Sequence, residues 1–218
     1  MTGARRGIPF VISAPSGTGK TTVCRALVAR DPGLVLSVSH TTRPPRSGER
    51  DGVDYHFVSE PEFERMVAAD AFLEHARYSA NLYGTSWQAI DAPLARGIDV
   101  LLEIETQGAR QVRERRADAC LIFLLPPSLA ELERRLRGRG TDGDEEIARR
   151  LAVARSEFAA APLFDAFVVN DAIERAVDAV QGVVSAARSG GRAAARRAES
   201  LAALRTQLDP ALAAWLPG

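Results

Sequence analysis

The sequence of 218 residues contains a single lysine, Lys20, although lysine and arginine together number 28. Codon bias can explain why arginine supplies the other cationic side chains. It does not explain why the one exception lies in a glycine-rich loop. The ammonium group of lysine is compact and flexible, so it reaches between neighbouring anionic groups where a planar guanidinium is too wide. The position of Lys20 therefore indicates an anion-binding role.

Net charge is also absent, because 28 acidic residues balance the 28 basic ones. Such a chain has no overall field for holding nucleic acid or an anionic membrane. The arginine-rich stretch at residues 110–116 is accordingly interpreted as a solvated helix face. No run approaches the roughly 18 apolar residues of a membrane span, and the amino-terminal residues have no apolar segment long enough for a signal peptide, so none is expected. We expect no nucleic-acid partner and no membrane association.

Cysteine is scarce too, with only Cys24 and Cys120. Both lie in apolar stretches and lack the spacing of a metal site, which predicts buried thiols in a reducing compartment. The expected localisation is cytoplasmic. A monomer and a homo-oligomer are equally compatible with the sequence.

The hydrophobic fraction of 46% is enough for a globular core. A short apolar run at residues 8–13 leads into a glycine-rich loop and then a helical pattern. Further apolar runs at residues 98–105, 120–126 and 166–170 alternate with helical patterns. This alternation predicts an α/β fold with a parallel sheet flanked by helices. We assign the core to residues 8–38 and 87–187.

Residues 39–86 interrupt this alternation and predict a small mixed α+β lobe inserted into the core. The alternating pattern at residues 53–58 predicts an antiparallel strand with one solvated face. A capping-box spacing at Ser59 and Glu62 predicts the start of a helix. Strand-like segments follow at residues 72–78 and 82–85.

Glycines and acidic residues break the helical pattern near residue 138, and a helical lid is predicted within the core at residues 138–150. The sequence Ser189-Gly190-Gly191 predicts a linker. The tail at residues 188–218 is expected to be helical in part and to fray through Trp215. Packing on the core, an oligomer contact and partial disorder all remain open for the tail.

The glycine-rich loop follows the P-loop pattern G-x-x-x-x-G-K-[ST], except that Ala14 replaces the first glycine. Gly17 and Gly19 allow backbone N–H groups to curve around phosphate, and Lys20 can reach the β and γ phosphates. The hydroxyl of Thr21 can ligate Mg²⁺. The residues assigned to this ATP site are Ala14, Pro15, Ser16, Gly17, Thr18, Gly19, Lys20, Thr21 and Thr22.

Two arginines, Arg43 and Arg46, are separated by two prolines. A polyproline II segment has three residues per turn, which places both arginines on one side at a spacing of roughly 9 Å. Such a pair can clamp a second phosphate group. Taken alone, the segment is better explained as a solvated basic turn.

Several motifs occur together in a specific order, and with them the chain resembles the guanylate kinase family over about residues 8–187. They are APSGTGKTT, SVSHTTRPPRSGERDGVDYHFV, FLEHARY, NLYGTS, LEIETQGA and GRGTDGDEEIARRL. The resemblance implies a bacterial-type ATP:GMP phosphotransferase with the fold of the P-loop nucleoside monophosphate kinases. It implies Mg²⁺ bound with ATP, no organic prosthetic group, and ATP and GMP, with dGMP, as partners. Bacterial members commonly have alanine before the Pro-Ser-Gly, as here.

The resemblance also implies roles for individual residues in binding GMP. The carboxylate of Glu74, which alone would pass for a surface charge at a strand end, would accept the N1–H and N2–H₂ donors of guanine. The phosphate ligands implied are Ser39, Arg43, Arg46, Tyr55 and Tyr83, and the guanine ligands are Glu74 and Thr85.

Glu103 and Glu105 are two residues apart on a predicted strand, which places their side chains on one face about 6.5 Å apart. By resemblance, Glu103 lies near Lys20 and, with Thr21, near Mg²⁺, largely through water. Glu105 stands where the family is expected to have aspartate, so its longer side chain changes the guanine contact. Both residues are counted among the GMP-binding residues.

Catalysis in this family is implied to depend on cations that meet the transferred phosphoryl group. These are Lys20, Arg46, Arg139 and Arg150. Arg149 is interpreted as an ion-paired surface residue, and Asn170 is implied to lie near adenine.

Two alternatives remain open from the sequence. A sugar-phosphate kinase of the same fold would not need Glu74, Tyr83 and Thr85. A non-catalytic interaction module related to guanylate kinases would not need an intact Lys20-Thr21 pair.

Overall fold

The structure, a computed structural model, describes residues 5–78, 80–138, 143–198, 201–206 and 208–217. It consists of two β-sheets with surrounding helices. The strands are β1 (Pro9–Ser13), β2 (Leu34–Leu36), β3 (His40–Thr41), β4 (His56–Phe57), β5 (Phe72–Tyr78), β6 (Asn81–Ser86), β7 (Asp99–Glu103), β8 (Cys120–Leu125) and β9 (Ala166–Val169). The helices are α1 (Lys20–Arg30), α2 (Glu60–Ala68), α3 (Trp87–Ala95), α4 (Thr106–Arg115), α5 (Leu129–Arg137), α6 (Asp144–Phe158), α7 (Ile173–Ala198), α8 (Leu201–Arg205) and α9 (Pro210–Ala213).

The larger sheet has the strand order β2-β7-β1-β8-β9, and all its pairings are parallel. The central strand β1 is buried along its whole length, with Val11 opposite Leu102 on one side and Leu121 on the other. Continuous apolar runs suit strands that are covered on both faces. Since β1 is central, the loop that follows it emerges in the middle of the carboxyl edge of the sheet, where open α/β sheets bind ligands.

Helices cover both faces of this sheet, as the sequence predicts. On one face, α1 and α7 pack through residues such as Leu27 and Val180. On the other face, α3 and α4 contribute residues such as Ile90 and Val112. The predicted fold class, a parallel sheet flanked by helices, is confirmed.

The smaller sheet has the order β4-β3-β6-β5 and lies between β2 and α3 in the chain. Its β5–β6 hairpin and its β3–β6 pair are antiparallel, whereas β4 pairs with β3 in parallel. The predicted antiparallel strand at residues 53–58 is therefore wrong. The carboxylate of Asp51 accepts from the backbone N–H of Phe57, and Gly52 has a φ of 71°. These local turns occupy the first residues of the segment, so only its last residues pair with β3.

Both predicted helix caps are present. Ser59 caps α2 by accepting from the backbone N–H of Glu62, and Ser128 caps α5 by accepting from that of Glu131. The first turn of each helix thus has a donor satisfied by a side chain three residues before it.

The arginine-rich helix α4 differs from its predicted role as a solvated face. Arg113 donates to the backbone oxygen of Leu163, and Arg116 pairs with Asp91 and Asp118. The side chains of Arg113 and Arg116 are only 18% and 10% exposed. These arginines connect α4 to neighbouring segments.

The described residues near Trp215 are packed on the core, contrary to the expected fraying. Helix α7 continues past the predicted linker to Ala198 and bends at Gly191, where φ is 68°. Beyond it, Leu208, Leu212 and Leu216 are all buried and belong to the same apolar cluster as β7 and β8. Of the alternatives for the tail, its described residues show packing on the core.

Both cysteines, Cys24 and Cys120, are buried and free. Burial raises the pKa of each thiol, that of Cys120 to about 12, so neither is reactive at neutral pH. Among the described helices, none has the length and apolar character needed to cross a membrane.

Candidate active site

The loop between β1 and α1 has the geometry of an anion-binding site. Gly17 and Gly19 have φ values of 89° and 94°, in the left-handed region that favours glycine. A Cβ on Gly17 would lie 2.8 Å from Leu136, and one on Gly19 would lie 2.8 Å from the amide nitrogen of Asn170. No acidic residue occurs in the first turn of α1, so the positive end of that helix is available to an anion.

Ala14 occupies the first glycine position of the pattern without strain. Its side chain is only 2% exposed and packs in the apolar cluster beneath α1 and α7. Its φ is not positive, so a Cβ is tolerated there. The buried side chain and ordinary φ of Ala14 explain why alanine can replace the first glycine of the P-loop pattern.

The ammonium group of Lys20 is held at the carboxyl edge of the sheet. Its Nζ donates to the backbone oxygen of Ile104 at 3.0 Å and to Glu105 Oε1 at 2.9 Å. Burial opposes the charged form of Lys20, but the carboxylates of Glu105 and Glu103 more than offset this effect, so the pKa of Lys20 is raised. The lysine is therefore charged at neutral pH and paired with a carboxylate that a phosphate can replace.

The prediction that Glu103 and Glu105 lie on one strand is wrong. Strand β7 ends at Glu103, and Glu105 is the residue that precedes α4, with φ −80° and ψ 165°. Glu103 accepts a hydrogen bond from the hydroxyl of Thr21, whereas Glu105 contacts Lys20. The early end of the strand follows from the start of α4, which begins only three residues after Glu103. Both carboxylates nevertheless face successive residues of the P-loop.

Helix α6 meets the P-loop at Ser16. Arg150 Nη2 donates to Ser16 Oγ at 3.1 Å, and the backbone N–H of Ser16 donates to Glu157 Oε2 at 3.3 Å. Burial and the nearby charge of Glu105 raise the pKa of Glu157 to about 7. Sequence reasoning assigned Arg150 but missed Glu157, because nothing in the sequence relates it to a loop 141 residues earlier.

A groove of about 450 Å³ opens beside the start of α1. Asn170 lines it and donates from Nδ2 to the backbone oxygen of Thr18 at 2.7 Å, while Arg135 donates to the same oxygen at 3.1 Å. The groove is also lined by Gly19, Thr22 and Arg134. Asn170 is thus at the P-loop side of the sheet, and Arg135 is a neighbour that sequence reasoning missed.

A buried polar cluster lies in the smaller lobe. Thr85 Oγ1 donates to Glu74 Oε1 at 2.6 Å and lies 3.0 Å from Ser39 Oγ. Glu74 is 4% exposed, and burial raises its pKa to about 7. Hydrogen bonds from Thr85 partly oppose this rise. Gly108 of α4 approaches Glu74, and Glu105, the residue before α4, contacts Lys20, so the start of α4 joins the two sites. The structure groups Ser39 with the two guanine ligands that the resemblance implies.

Two residues of α4 support Glu74, and neither was singled out from the sequence. A Cβ on Gly108 would lie 2.4 Å from Glu74 Oε2, so glycine is required for the close approach of the carboxylate. The side-chain amide of Gln111 binds both the N–H and the C=O of His75, at 3.1 and 2.7 Å. Gln111 thereby fixes β5, which carries Glu74, to the core. Gly108 does lie within the LEIETQGA motif, whereas no pattern indicates Gln111.

The Arg43 and Arg46 segment is organised by a third residue, Glu49. Arg43 Nη2 lies 2.8 and 3.0 Å from the two carboxylate oxygens of Glu49, and the backbone N–H of Arg46 donates to the same carboxylate at 2.7 Å. The Arg43 guanidinium also lies 5.5 Å from the ring centre of Tyr55. That ring meets the ring of Tyr83 edge to face, with centroids 6.1 Å apart. Sequence reasoning missed Glu49.

Part of the predicted lid, including Arg139, lies outside the described residues. The rest of the segment contains Arg150, with its contact to Ser16, and Arg149, which pairs with Glu146 at 2.6 Å. The ion pair of Arg149 agrees with its interpretation as a paired surface residue.

Taken together, the parallel sheet, the P-loop at its central strand and the inserted lobe define a P-loop nucleoside monophosphate kinase fold. The family model of guanylate kinase matches residues 6–187. Similar proteins include "Guanylate kinase" of Neisseria meningitidis serogroup A, 53% identical over 188 residues that cover 86% of this chain and 92% of the relative. "Guanylate kinase" of Thermosynechococcus vestitus is 55% identical over 175 residues, covering 80% and 92%. This chain belongs to the guanylate kinase family.

A solved structure is also similar, the crystal structure of guanylate kinase from Anaplasma phagocytophilum. It superimposes with a TM-score of 0.65 at 30% sequence identity, covering 86% of this chain and 89% of the other. The fold and the family assignment therefore agree.

Proposed function

We propose that this chain is an ATP-dependent guanylate kinase that transfers the γ-phosphoryl group of ATP to GMP, giving ADP and GDP. The observation that carries the proposal is the buried Glu74–Thr85 pair, which packs against α4, the helix that begins beside the Lys20–Glu105 contact at the P-loop. A phosphate-binding loop alone fits many enzymes. A buried carboxylate beside it, paired with a hydroxyl, fits an acceptor that carries a guanine base.

Guanine presents adjacent N1–H and N2–H₂ donors and an O6 acceptor. The carboxylate of Glu74 can accept both donors, and a hydroxyl from Thr85 or Ser39 can donate to O6. Both donors would stabilise the ionised form of Glu74, whose pKa burial raises to about 7 in the free protein. Adenine lacks this pair of adjacent donors and would leave the buried carboxylate of Glu74 unpaired. Polar sites discriminate strongly against ligands that leave a buried polar group unpaired.

The phosphate of GMP would bind to Arg43, Arg46, Tyr55 and Tyr83. Ser39, which the resemblance implies as a fifth phosphate ligand, would instead serve the guanine, because its hydroxyl lies 3.0 Å from that of Thr85. In the structure, Glu49 pairs with Arg43 and so occupies part of this clamp. A phosphate would gain the two-point contact that a guanidinium offers to oxyanions. Glu49 therefore orients the guanidinium of Arg43 within the clamp.

ATP would place its phosphates on the P-loop and its adenine in the groove beside Asn170 and Arg135. Thr21 and Glu103 already contact one another through a hydroxyl and a carboxylate, the oxygen ligands that Mg²⁺ prefers. This pair would hold Mg²⁺ with ATP, largely through water, and the ion would neutralise charge on the phosphates. No residue has to act as a covalent nucleophile.

Transfer would depend on cations that surround the phosphoryl group. Its transition state is loose, with charge spread over several oxygens, so positioned cations supply most of the rate enhancement. Lys20, Arg46, Arg139 and Arg150 would fill this role, and Lys20 would exchange Glu105 for phosphate. Closure of the lid at residues 138–150 over the core and the lobe at residues 39–86 would exclude water.

An assay of ADP release with GMP, dGMP, AMP, CMP and UMP as acceptors tests the proposal. We expect turnover with GMP and dGMP and a preference over AMP of at least about 10³-fold. Arg65→Gln serves as the control variant, because Arg65 is 71% exposed and pairs only locally with Glu62 on α2. A well-folded protein that releases no ADP with GMP would refute the proposal.

A further inference from the structure

The segment after residue 187 lies beyond the part of the chain that the guanylate kinase model matches. It nevertheless returns to the core. Leu208 is 8% exposed, Leu212 0% and Leu216 5%, and all three join the apolar cluster on the α3 and α4 side of the sheet. Asp209 caps α9 by accepting from the N–H of Leu212 at 3.0 Å. The described residues of this segment are therefore packed on the core.

Trp215, near the end of this segment, packs on α6. Its ring meets Phe158 edge to face, with centroids 5.6 Å apart, and the Arg155 guanidinium lies 6.0 Å from the ring centre. Trp215 also packs against the apolar cluster between α5 and α6, which contains Leu136 and Ile147. Arg205 donates to the backbone oxygen of Leu216 at 3.0 Å and so holds the residue next to Trp215.

Helix α6 has different partners on two adjacent faces. Arg150 and Glu157, seven residues apart and hence on one face, both contact Ser16 of the P-loop. Arg155 and Phe158 carry the contacts with Trp215. A continuous helix moves as a unit, so the position of one side determines the position of the other. Trp215 thus packs on the helix that supplies two of the contacts to the ATP-phosphate loop.

We infer that Trp215 is a positioning residue for the ATP-phosphate site: by packing on α6, it sets where Arg150 and Glu157 meet Ser16. The inference rests on the proposed function for its kinetic readout. Leu212 and Leu216 supply much of the apolar burial of the segment, whereas Trp215 supplies its aromatic and cationic contacts with α6. A residue beyond the family match thereby acts on the donor half of the reaction and leaves the GMP lobe unaffected.

Trp215→Ala tests the inference by comparing its effects on the KM for ATP and on the KM for GMP. We expect the KM for ATP to rise at least fivefold and the KM for GMP to stay within twofold of the original. Trp215→Phe keeps an aromatic ring against Phe158 and should restore the KM for ATP to within twofold. Unchanged ATP parameters in Trp215→Ala, or an equal rise in both KM values, would overturn the inference.

Val183→Ala is the matched control for loss of apolar packing. Val183 is fully buried, but it belongs to the cluster of α1 and α7, which contains no residue of α6. It should lower the melting temperature while leaving the KM for ATP within twofold. A rise in the KM for ATP equal to that of Trp215→Ala would show that general destabilisation causes the effect, and would overturn the inference.

A fluorescence measurement tests the same contact without activity and without removing Trp215. The chain has two tryptophans, so Trp87→Phe leaves Trp215 as the single reporter. A non-hydrolysable ATP analogue should change its emission along a saturable curve, and GMP alone should not. Emission that does not respond to the analogue while calorimetry shows it bound would overturn the inference. Because this readout needs no turnover, it distinguishes failure of the inference from failure of the proposed function.

Discussion

The ATP half and the GMP half of the candidate site are constructed in different ways. On the ATP side, one continuous loop with two left-handed glycines supplies backbone donors at the start of α1. On the GMP side, Ser39, Glu74 and Thr85 come from separate strands or loops and meet through side chains. The first half recognises phosphate, a group that many molecules share. The second half recognises one base, and it does so with a buried ionisable group.

This difference determines what each half depends on. The P-loop follows a fully buried central strand, so its position is fixed by the main core. The GMP cluster depends on the smaller sheet and on α4, through Gly108 and Gln111. Substitutions in the ATP half should therefore affect rate or the KM for ATP, whereas those in the GMP half should affect selectivity for the acceptor base.

The largest expected effect is on the ATP side. Lys20→Met removes the one ammonium group at the phosphate loop while keeping a side chain of similar length. We expect kcat with GMP to fall by about 10³-fold, because a positioned charge facing the transferred group is lost. Steady-state assays of ADP release measure it. A kcat within tenfold of the original would contradict the assignment of Lys20.

Two neighbouring arginines of α6 are expected to differ in role: one acts in catalysis and the other forms a surface ion pair. Arg150→Gln should lower kcat by about 10²-fold, since its guanidinium is placed at Ser16 of the P-loop. Arg149→Gln is the matched control and should change kcat by less than twofold, because Arg149 pairs with Glu146 on the exposed side of α6. Equal effects of the two variants would refute the distinction.

On the GMP side, the expected effect is on selectivity. Glu74→Gln keeps the size of the side chain but loses one acceptor for the guanine donors. We expect the preference for GMP over AMP, measured as the ratio of kcat/KM values, to fall by about 30-fold, with the KM for ATP unchanged. An unchanged preference would show that another group reads the base.

The smallest effect is on stability. The pKa of Glu74 is about 7 in the folded protein and 4.5 for an ordinary glutamate. Between these values the folded state binds more protons than the unfolded state, so the free energy of unfolding falls as pH rises from 4.5 to 7. Glu74→Gln does not titrate and should reduce this fall by about 1–2 kcal/mol, measured by urea unfolding at pH 5 and pH 7.5.

Glu157, whose pKa is also about 7, gives the same trend in both the original protein and the variant. It therefore cancels when the two are compared. Identical pH dependence in both proteins would show that Glu74 is not buried in the way the structure describes.

Sequence reasoning succeeded where the relevant contacts are local. The P-loop, its helix and the buried strands follow from spacing and apolar runs within short windows. The helix caps at Ser59 and Ser128 were predictable for the same reason. Most of the GMP-site assignments came from the resemblance to a family, since their residues are distant in the chain.

Other features could not be predicted because they depend on tertiary contacts. The parallel pairing of β4 results from turns at Asp51 and Gly52, and the end of β7 at Glu103 results from the start of α4. Glu157 reaches Ser16 only because α6 crosses the P-loop in the folded chain. The contact of Trp215 with Phe158 likewise joins segments that have no shared pattern.

The most direct test of the central claim follows the transferred group itself. The protein is incubated with ATP labelled at the γ-phosphoryl group, together with GMP or AMP, and the products are separated. We predict that the label appears in GDP, in proportion to the ADP formed, and that little label enters ADP when AMP replaces GMP. Label released as inorganic phosphate regardless of the acceptor, or transferred equally to GMP and AMP, would contradict the account.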